Sequence, residues 1–369
     1  MLLVEICKNI LKQSRIFLVL LIILLSTAAC SLDKGQETHN SLVETENVER
    51  VEDDLVIEQN KKIIYLAGGC FWGLEGYFQK IPGILETEVG YANGKTDKTD
   101  YTQVAVTDHA ETVKITYDIS RISLAEILLR YFKVIDPTSI NRQGNDVGRQ
   151  YRTGIYYTDD KDSQIIHKVI AYEEEIYGQV AVEVDKLQNF VRAEDYHQDY
   201  LKKNPGGYCH INLAKAQEPL FSEKYAVPGE EEIKEILDSE AYKVMRQAGT
   251  ERPGSSPLND ENRKGIYVDK ITGEPLFSSR DKFNSGCGWP SFTKPITTEK
   301  LKELEDDSFG MVRTEVKTNK SDSHLGHVFT DGPRDKGGLR YCINGAALRF
   351  IPYEEMDSQG YAEYKLFCE

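Results

Sequence analysis

The sequence predicts an α+β protein, with an N-terminal mixed α/β sandwich over residues 61–215 and a mostly β, barrel-like unit over residues 231–369. Three observations predict it. From residue 61 to 215 short apolar strands alternate with amphipathic helices. Beyond residue 231 the segments are shorter and turn signals recur, as at Ser285-Gly286, Asp331-Gly332-Pro333 and Lys336-Gly337-Gly338. Between the two blocks, Gln217-Glu218-Pro219 to Val227-Pro228-Gly229-Glu230 gathers Pro, Gly and charge, which marks a linker over 216–230. The 369 residues are 40% hydrophobic, enough to fill two cores. Forty-five Lys and Arg against 60 Asp and Glu leave a net charge of −15, which argues against nucleic acid as a partner, because that binding relies on cations neutralising phosphates. Seven cysteines are too sparse for a disulfide scaffold, so their contexts decide their roles.

The chain opens with Lys8, Lys12 and Arg15, an apolar run from Ile16 to Leu25, and Ser26-Thr27-Ala28-Ala29-Cys30. A basic region, a short apolar core and small residues read as a signal peptide over 1–29. A Cys directly after small residues resembles the lipobox of bacterial lipoproteins, although Thr27 stands where Leu is usual. The resemblance implies lipidation at Cys30 and an extracytoplasmic, membrane-anchored protein; an uncleaved N-terminal anchor is the alternative. Residues 30–60 are polar and acidic, with Glu44, Glu46, Glu49, Glu52, Asp53 and Asp54, and read as a disordered tether.

In the first block, Ile63 to Leu66 reads as a strand ending at Gly68-Gly69, and Leu74 to Gln79 as helical. Val113, Ile115 and Tyr117 alternate and predict a half-buried strand. Ser123-Leu124-Ala125-Glu126 is a capping box, after which Leu124, Ile127, Leu128, Tyr131 and Phe132 form one apolar helical stripe. Tyr151–Tyr157 and Val180–Val184 read as strands around a helix containing Ile165, Ile166, Val169 and Ile170. Gly94-Lys95-Thr96 ends like a phosphate-binding loop, but Val89 stands where its first glycine belongs, so nucleotide binding is not supported.

Cys70 lies between a strand end and a helix start, in Gly68-Gly69-Cys70-Phe71-Trp72-Gly73. A helix N-terminus lowers a thiol pKa, so this position predicts an available thiolate. With Tyr101 in DYTQV, Glu111 in HAETV, Asp146 in RQGND, Tyr151 in GRQYR, and Asn204-Pro205-Gly206-Gly207-Tyr208-Cys209-His210, the block resembles the A-type peptide methionine sulfoxide reductases over nearly all of 61–215. That resemblance implies a ferredoxin-like sandwich. It also implies that Cys70 attacks the sulfoxide sulfur and becomes a sulfenic acid, with Glu111 as the acid. Phe71 and Trp72 would wall the methyl group, Tyr101 and Tyr151 would bond the oxygen, and Asp146 would support them. Cys209 would then close a disulfide with Cys70. Taken alone, Glu111 reads as a solvated strand carboxylate and the tyrosines as packing.

In the second block a helix over Glu231–Gln247 leads into strands at Gly265–Val268, Gly310–Val316 and Gly338–Ile343. GEPLFSSRDKFNSGCGWPSF (273–292), HLGHVF (324–329), DGP (331–333) and GGLRYCIN (337–344) resemble the B-type methionine sulfoxide reductases over about 235–361. By that resemblance Cys342 is the nucleophile, Cys287 the resolving thiol and Trp289 the methyl contact. His324 and His327 bind or protonate the oxygen, aided by Asp331, Arg340 and Asn344. Arg340 and Cys342, two apart on a strand, face one side, and a cation there favours the thiolate. Many B-type enzymes hold structural zinc on two CxxC pairs; here Tyr267-Val268-Asp269-Lys270-Ile271-Thr272-Gly273 stands where one pair belongs, so no metal is expected. Metal ligation by His324 and His327 is the weaker reading of that pair, since Gly326 opposes a helical ligand spacing. Cys368 reads as a spare thiol or an alternative resolving thiol.

Because a sulfoxide sulfur is a stereocentre, the two resemblances imply one domain for each epimer, S first and R second. They imply no bound cofactor, and recycling by thioredoxin or a thioredoxin-like membrane redox protein. Oxidised proteins are the implied substrates. Two other classes compete: a thiol peroxidase or disulfide oxidoreductase, and a surface adhesin whose cysteines form structural bridges.

Overall fold

The apolar run Ile63 to Leu66 forms the middle of the first strand, β1 (Lys61–Gly68). The computed structural model describes residues 60–221, 224–307 and 312–368; the signal segment, Cys30 and the acidic tether up to residue 59 lie outside the described residues. After β1 come α1 (Phe71–Phe78), β2 (Ile84–Ala92), β3 (Ala110–Asp118) and α2 (Leu124–Phe132). A two-residue ladder of β4 (Arg142–Gln143) and β5 (Asp146–Val147) precedes β6 (Thr153–Tyr157), α3 (Asp162–Tyr177), β7 (Glu183–Lys186), β8 (Phe190–Arg192) and α4 (Tyr200–Lys203). Six strands form one sheet in the order β7-β6-β1-β3-β2-β8, antiparallel except for the β6–β7 pair.

The alternation in β3 predicts a half-buried strand, but the strand is buried on both faces. It lies between β1 and β2, and its polar residues Glu111, Thr112 and Thr116 are buried with the apolar ones. The strand expected at Val180–Val184 starts at Glu183, because the Ala181 N–H is donated to the Pro137 carbonyl at 2.6 Å instead of a strand partner. The capping box forms by half. Ser123 accepts from the Glu126 N–H at 3.2 Å, but the Glu126 carboxylate turns to Arg130 (2.9 Å) and to Thr298 of the second half (2.7 Å to the hydroxyl). All nine residues of α2 are buried, so the polar side of its stripe faces protein too.

The helix expected over 231–247 is two, α5 (Glu230–Ile236) and α6 (Ser239–Gln247). Asp238 leaves the first and caps the second, accepting from the Ala241 N–H at 2.8 Å. β9 (Gly265–Asp269) then pairs with β10 (Pro275–Ser278). β11 (Lys282–Phe283), β12 (Ser291–Phe292), β13 (Leu301–Asp306), β14 (Arg313–Thr318), β15 (His324–Phe329) and β16 (Arg340–Ile343) follow, and β17 (Leu348–Pro352) returns to β9. They form a three-stranded sheet, β10-β9-β17, and a six-stranded antiparallel sheet, β11-β12-β16-β15-β14-β13.

One apolar core joins the halves: Leu66, Ile115 and Leu128 belong to the same cluster as Ile266, Ile351 and Phe367. A second core, with Phe277, Phe292, Val316 and Tyr341, lies within the second half. Each such side chain removed from water stabilises the fold by about 1.5–3 kcal/mol. The stretch read as a linker is built into this body. Ala216 and Leu220 are buried, the Leu220 N–H donates to Glu299 Oε1 (3.2 Å), and the Phe221 ring stands edge-on to Tyr364 at 4.8 Å.

Candidate active sites

The end of β1 and the start of α1 place Cys70 at the helix N-cap, 7% exposed, with an extended backbone. The neighbouring strand brings Glu111 beneath it: Glu111 Oε2 accepts the Phe71 N–H at 3.1 Å and is 2% exposed. Burial, with a smaller push from Asp146, raises the Glu111 carboxyl to about 8 against the pull of the Phe71 N–H. Glu111 is therefore protonated near neutral pH.

The thiolate expectation for Cys70 is corrected. The Trp72 and Gly73 N–H groups do pull its pKa down, as a helix start should, but burial and the Glu111 charge push it up by more. Protonating Glu111 removes the second of these pushes. Tyr151 stands close enough to feel Glu111, Tyr101, Asp146 and Cys70, so the fold brings these five residues together. Cys209 lies on the segment after α4. Its thiol donates to the Ile211 carbonyl (3.0 Å), and its sulfur packs on Gly73, where a Cβ would come within 3.0 Å of it. Asp146 accepts from Tyr208 Oη at 3.1 Å and stands 3.8 Å from His210 Nδ1.

Phe71 is buried, and Trp72 stacks on Tyr200 at 3.7 Å. The sequence reading missed what fixes these rings. His197, 1% exposed, accepts the Trp72 indole N–H at Nδ1 (3.1 Å) and lies 4.7 Å from the Tyr101 ring. Glu194 accepts from the Tyr101 N–H (3.0 Å) and from Tyr91 Oη (2.8 Å). A histidine among tyrosines in Tyr196-His197…Tyr200 was the available signal.

In the second half β12, β16 and β15 lie side by side, pairing Cys342 with Ser291 on one side and His327 on the other. Cys287, on the loop before β12, has its sulfur 3.3 Å from that of Cys342. His324 and His327 are three apart on β15, a spacing that ordinarily points to opposite faces. The β14–β15 register shifts between Val316 and Lys317, and the two rings come within 5.6 Å. His324 Nδ1 is 2.6 Å from Glu315 Oε1 and His327 Nε2 is 2.8 Å from Asp306 Oδ2; neither carboxylate figured in the sequence reading.

Arg340 donates two bonds to Asp331 (2.8 and 2.9 Å) and lies over the Phe329 ring. Trp289 donates its indole N–H to the Glu251 carbonyl at 3.2 Å. Asn344 is 3% exposed and engaged at both ends, accepting the Glu251 N–H (2.9 Å) and donating to the Leu325 carbonyl (2.9 Å). It sits as a clamp between backbones. The expectation that Arg340 makes Cys342 the thiolate is also corrected. Arg340 pulls that pKa down, but burial and Cys287 push it up to about 12. Burial raises Cys287 as well, yet the hydroxyls of Ser285 and Ser291 overcome it and bring that thiol down to about 7. In the resting pair the readier thiolate is Cys287.

A family model described as "Peptide methionine sulfoxide reductase" matches residues 62–228, and one described as "SelR domain" matches 237–352. Mxr1 from Saccharomyces cerevisiae in its reduced form is 38% identical over 42% of this chain and 92% of its own, with a TM-score of 0.40. Methionine sulfoxide reductase A of Corynebacterium diphtheriae is 33% identical over 41% and 78%, with a TM-score of 0.39. The chain belongs to the peptide methionine sulfoxide reductases. It is an oxidoreductase of methionine sulfoxide with two reductase domains in one chain. Mxr1 in complex with Trx2 is a further match, 27% identical over 38% and 85%, with a TM-score of 0.29.

SelR domains often bind zinc. The residues of this reductase do not fit it: among the described residues no group of three or more His, Cys, Asp or Glu is placed to hold a metal ion. At the position where a CxxC pair belongs, Asp269, 1% exposed, accepts from the Ile271 N–H (2.7 Å), the Thr272 N–H (2.8 Å) and Ser321 Oγ (3.0 Å). This tie joins the 269–273 turn to the 318–323 turn through side-chain and backbone hydrogen bonds. Cys368 is buried, donating to the Gly265 carbonyl (3.3 Å).

Proposed function

We propose that the chain repairs oxidised proteins by reducing both epimers of methionine sulfoxide, the S epimer at Cys70 and the R epimer at Cys342. The observation that carries this reading is the buried, protonated Glu111 beside the Cys70 thiol, matched in the second half by a separate thiol pair with two histidines. At the first site Glu111 protonates the substrate oxygen, and the Cys70 thiol gives its own proton to the resulting Glu111 carboxylate as its sulfur attacks the substrate sulfur. The oxygen passes to Cys70, methionine leaves, and two electrons have moved from Cys70 to the substrate. Cys209 then bonds to Cys70, and the sulfenic oxygen departs as water.

Phe71 and Trp72 hold the methyl group, with Tyr101 and Tyr151 on the oxygen and Asp146 in support. At the second site Cys342 is the nucleophile. Cys287, 3.3 Å away, first takes its proton and later closes the disulfide. His324 and His327 serve the oxygen, Trp289 the methyl group, and Asp331, Arg340 and Asn344 position them.

Each cycle ends in a disulfide, so a dithiol must follow. A thioredoxin, at about −270 mV, has the reducing power for it, and a thioredoxin-like membrane protein would serve a chain anchored outside the cytoplasm through Cys30. Turnover of pure epimers of a sulfoxide-containing peptide tests the reading. Cys70→Ser should lose only the S epimer and Cys342→Ser only the R epimer; loss of both from either change overturns the division of labour.

A further inference from the structure

The two halves meet where the strand carrying Cys342 begins. Asn60 Nδ2 donates to the Gly337 carbonyl at 2.9 Å in a buried bond. Gly337 lies against Ser120 of the turn after β3, with φ +104° and so little room that a Cβ would fall 2.2 Å from the Ser120 Cβ and 2.7 Å from its Cα. Only glycine suits that approach. The next residue of the same turn, Arg121, reaches further along. Its guanidinium donates to Glu303 Oε1 (2.6 Å) and to Tyr341 Oη (3.3 Å), and Tyr341 Oη donates to the same carboxylate oxygen (2.7 Å). Tyr341 is 1% exposed and immediately precedes Cys342.

Adjacent strand residues point to opposite faces. Tyr341 therefore pins β16 from behind while Cys342 faces Cys287 and His327. A pocket of about 460 Å³ bordered by Arg121, Arg130, Glu299, Glu303 and Tyr341 lies at the same junction.

We propose that Asn60, Ser120 and Arg121, all from the first half, are positioning residues for the second active site. They set where β16 starts and how it is tilted, and through it the place of the Cys342 sulfur. The first half is on this account a structural part of the second site, not a passenger on the same chain. The inference rests on the proposed assignment of Cys342 as the nucleophile. Displacing a reacting atom by about 1 Å is enough to slow a reaction by around 100-fold, so a loosened strand should show in turnover.

The test uses the full chain with Arg121→Met, Tyr341→Phe and both together. R-epimer kcat and KM, S-epimer turnover, and the alkylation rate of Cys342 by iodoacetamide are measured for each. Arg121→Met should lower R-epimer kcat by about tenfold or more with KM changed less than twofold, and shift the Cys342 alkylation rate. S-epimer turnover, the built-in control for folding, should stay at the parental rate. The double variant should be no worse than the worse single one, since both changes break one link. R-epimer kcat within twofold of the parent, or equal loss at both sites, overturns the proposal. A Cys342→Ser chain run alongside separates the two failures. If it keeps R-epimer turnover, the nucleophile assignment falls and the clamp with it; if it loses turnover while Arg121→Met does not, only the clamp falls.

Discussion

Replacing Glu111 by Gln should make the protein more stable and less active at the same time. Glu111 is 2% exposed, and its carboxyl is held at about 8 against an ordinary 4.5, chiefly by burial. A raised folded-state pKa on an acid means that the folded chain keeps a proton the unfolded chain has released. That contribution favours folding least at high pH: stability declines as pH rises from about 4.5 and levels off near 8. At about 1.4 kcal/mol per pH step, the protonated carboxyl weakens the fold by about 3 kcal/mol at pH 7 and by about 1 kcal/mol at pH 5. Glutamine is neutral at both and keeps an oxygen for the Phe71 N–H. Glu111→Gln should therefore raise the melting temperature at pH 7 clearly more than at pH 5. On the proposed mechanism the same change removes the proton given to the sulfoxide oxygen, so S-epimer turnover should fall by about 100- to 10,000-fold while R-epimer turnover is unchanged. Thermal melts at the two pH values and an epimer-resolved peptide assay measure both effects. If parent and variant melt alike at pH 7, or if S-epimer turnover survives within tenfold, the buried-acid argument is wrong.

Cys209→Ser should release about one methionine per chain at the first site and stop, with a sulfenic acid on Cys70 that dimedone traps and mass spectrometry reads. Asp269→Ala strands three donors, the Ile271 and Thr272 N–H groups and the Ser321 hydroxyl, and should lower stability by about 3 kcal/mol in urea or thermal melts, without added zinc restoring it. Arg340→Met removes the cation that pulls the Cys342 thiol down, so the pH profile of Cys342 alkylation should move to higher pH. In the parent, S-epimer turnover should decline above about pH 8 as Glu111 loses its proton.

What could be read in advance was whatever the chain writes locally. Cys70 stands at a strand-to-helix junction because Gly68-Gly69 end an apolar run and α1 starts at Phe71. Cys342 lies two residues from Arg340 on a strand, and the charge of Arg340 reaches it, as period-two geometry requires. What could not be read was burial arriving from elsewhere. The stripe on α2 was visible, yet nothing local said that Glu126 and Arg130 would be buried against Thr298 and Glu299. His197 and Glu194 looked like residues of a polar loop until the fold set one under Trp72 and the other beneath Tyr101.

The sequence by itself determined the two family blocks and the local strands and helices that carry Cys70 and Cys342, because strand and helix periods, caps and turn residues act within a few positions along the chain. Only the tertiary structure decided the charge states. A helix start should have made Cys70 a thiolate, and a neighbouring arginine should have done the same for Cys342. Burial outweighed both, because removing an anion from water is worth more than one or two backbone dipoles or a guanidinium already paired with Asp331. It also made the apparent linker part of a shared core, since which apolar faces meet depends on contacts hundreds of residues apart.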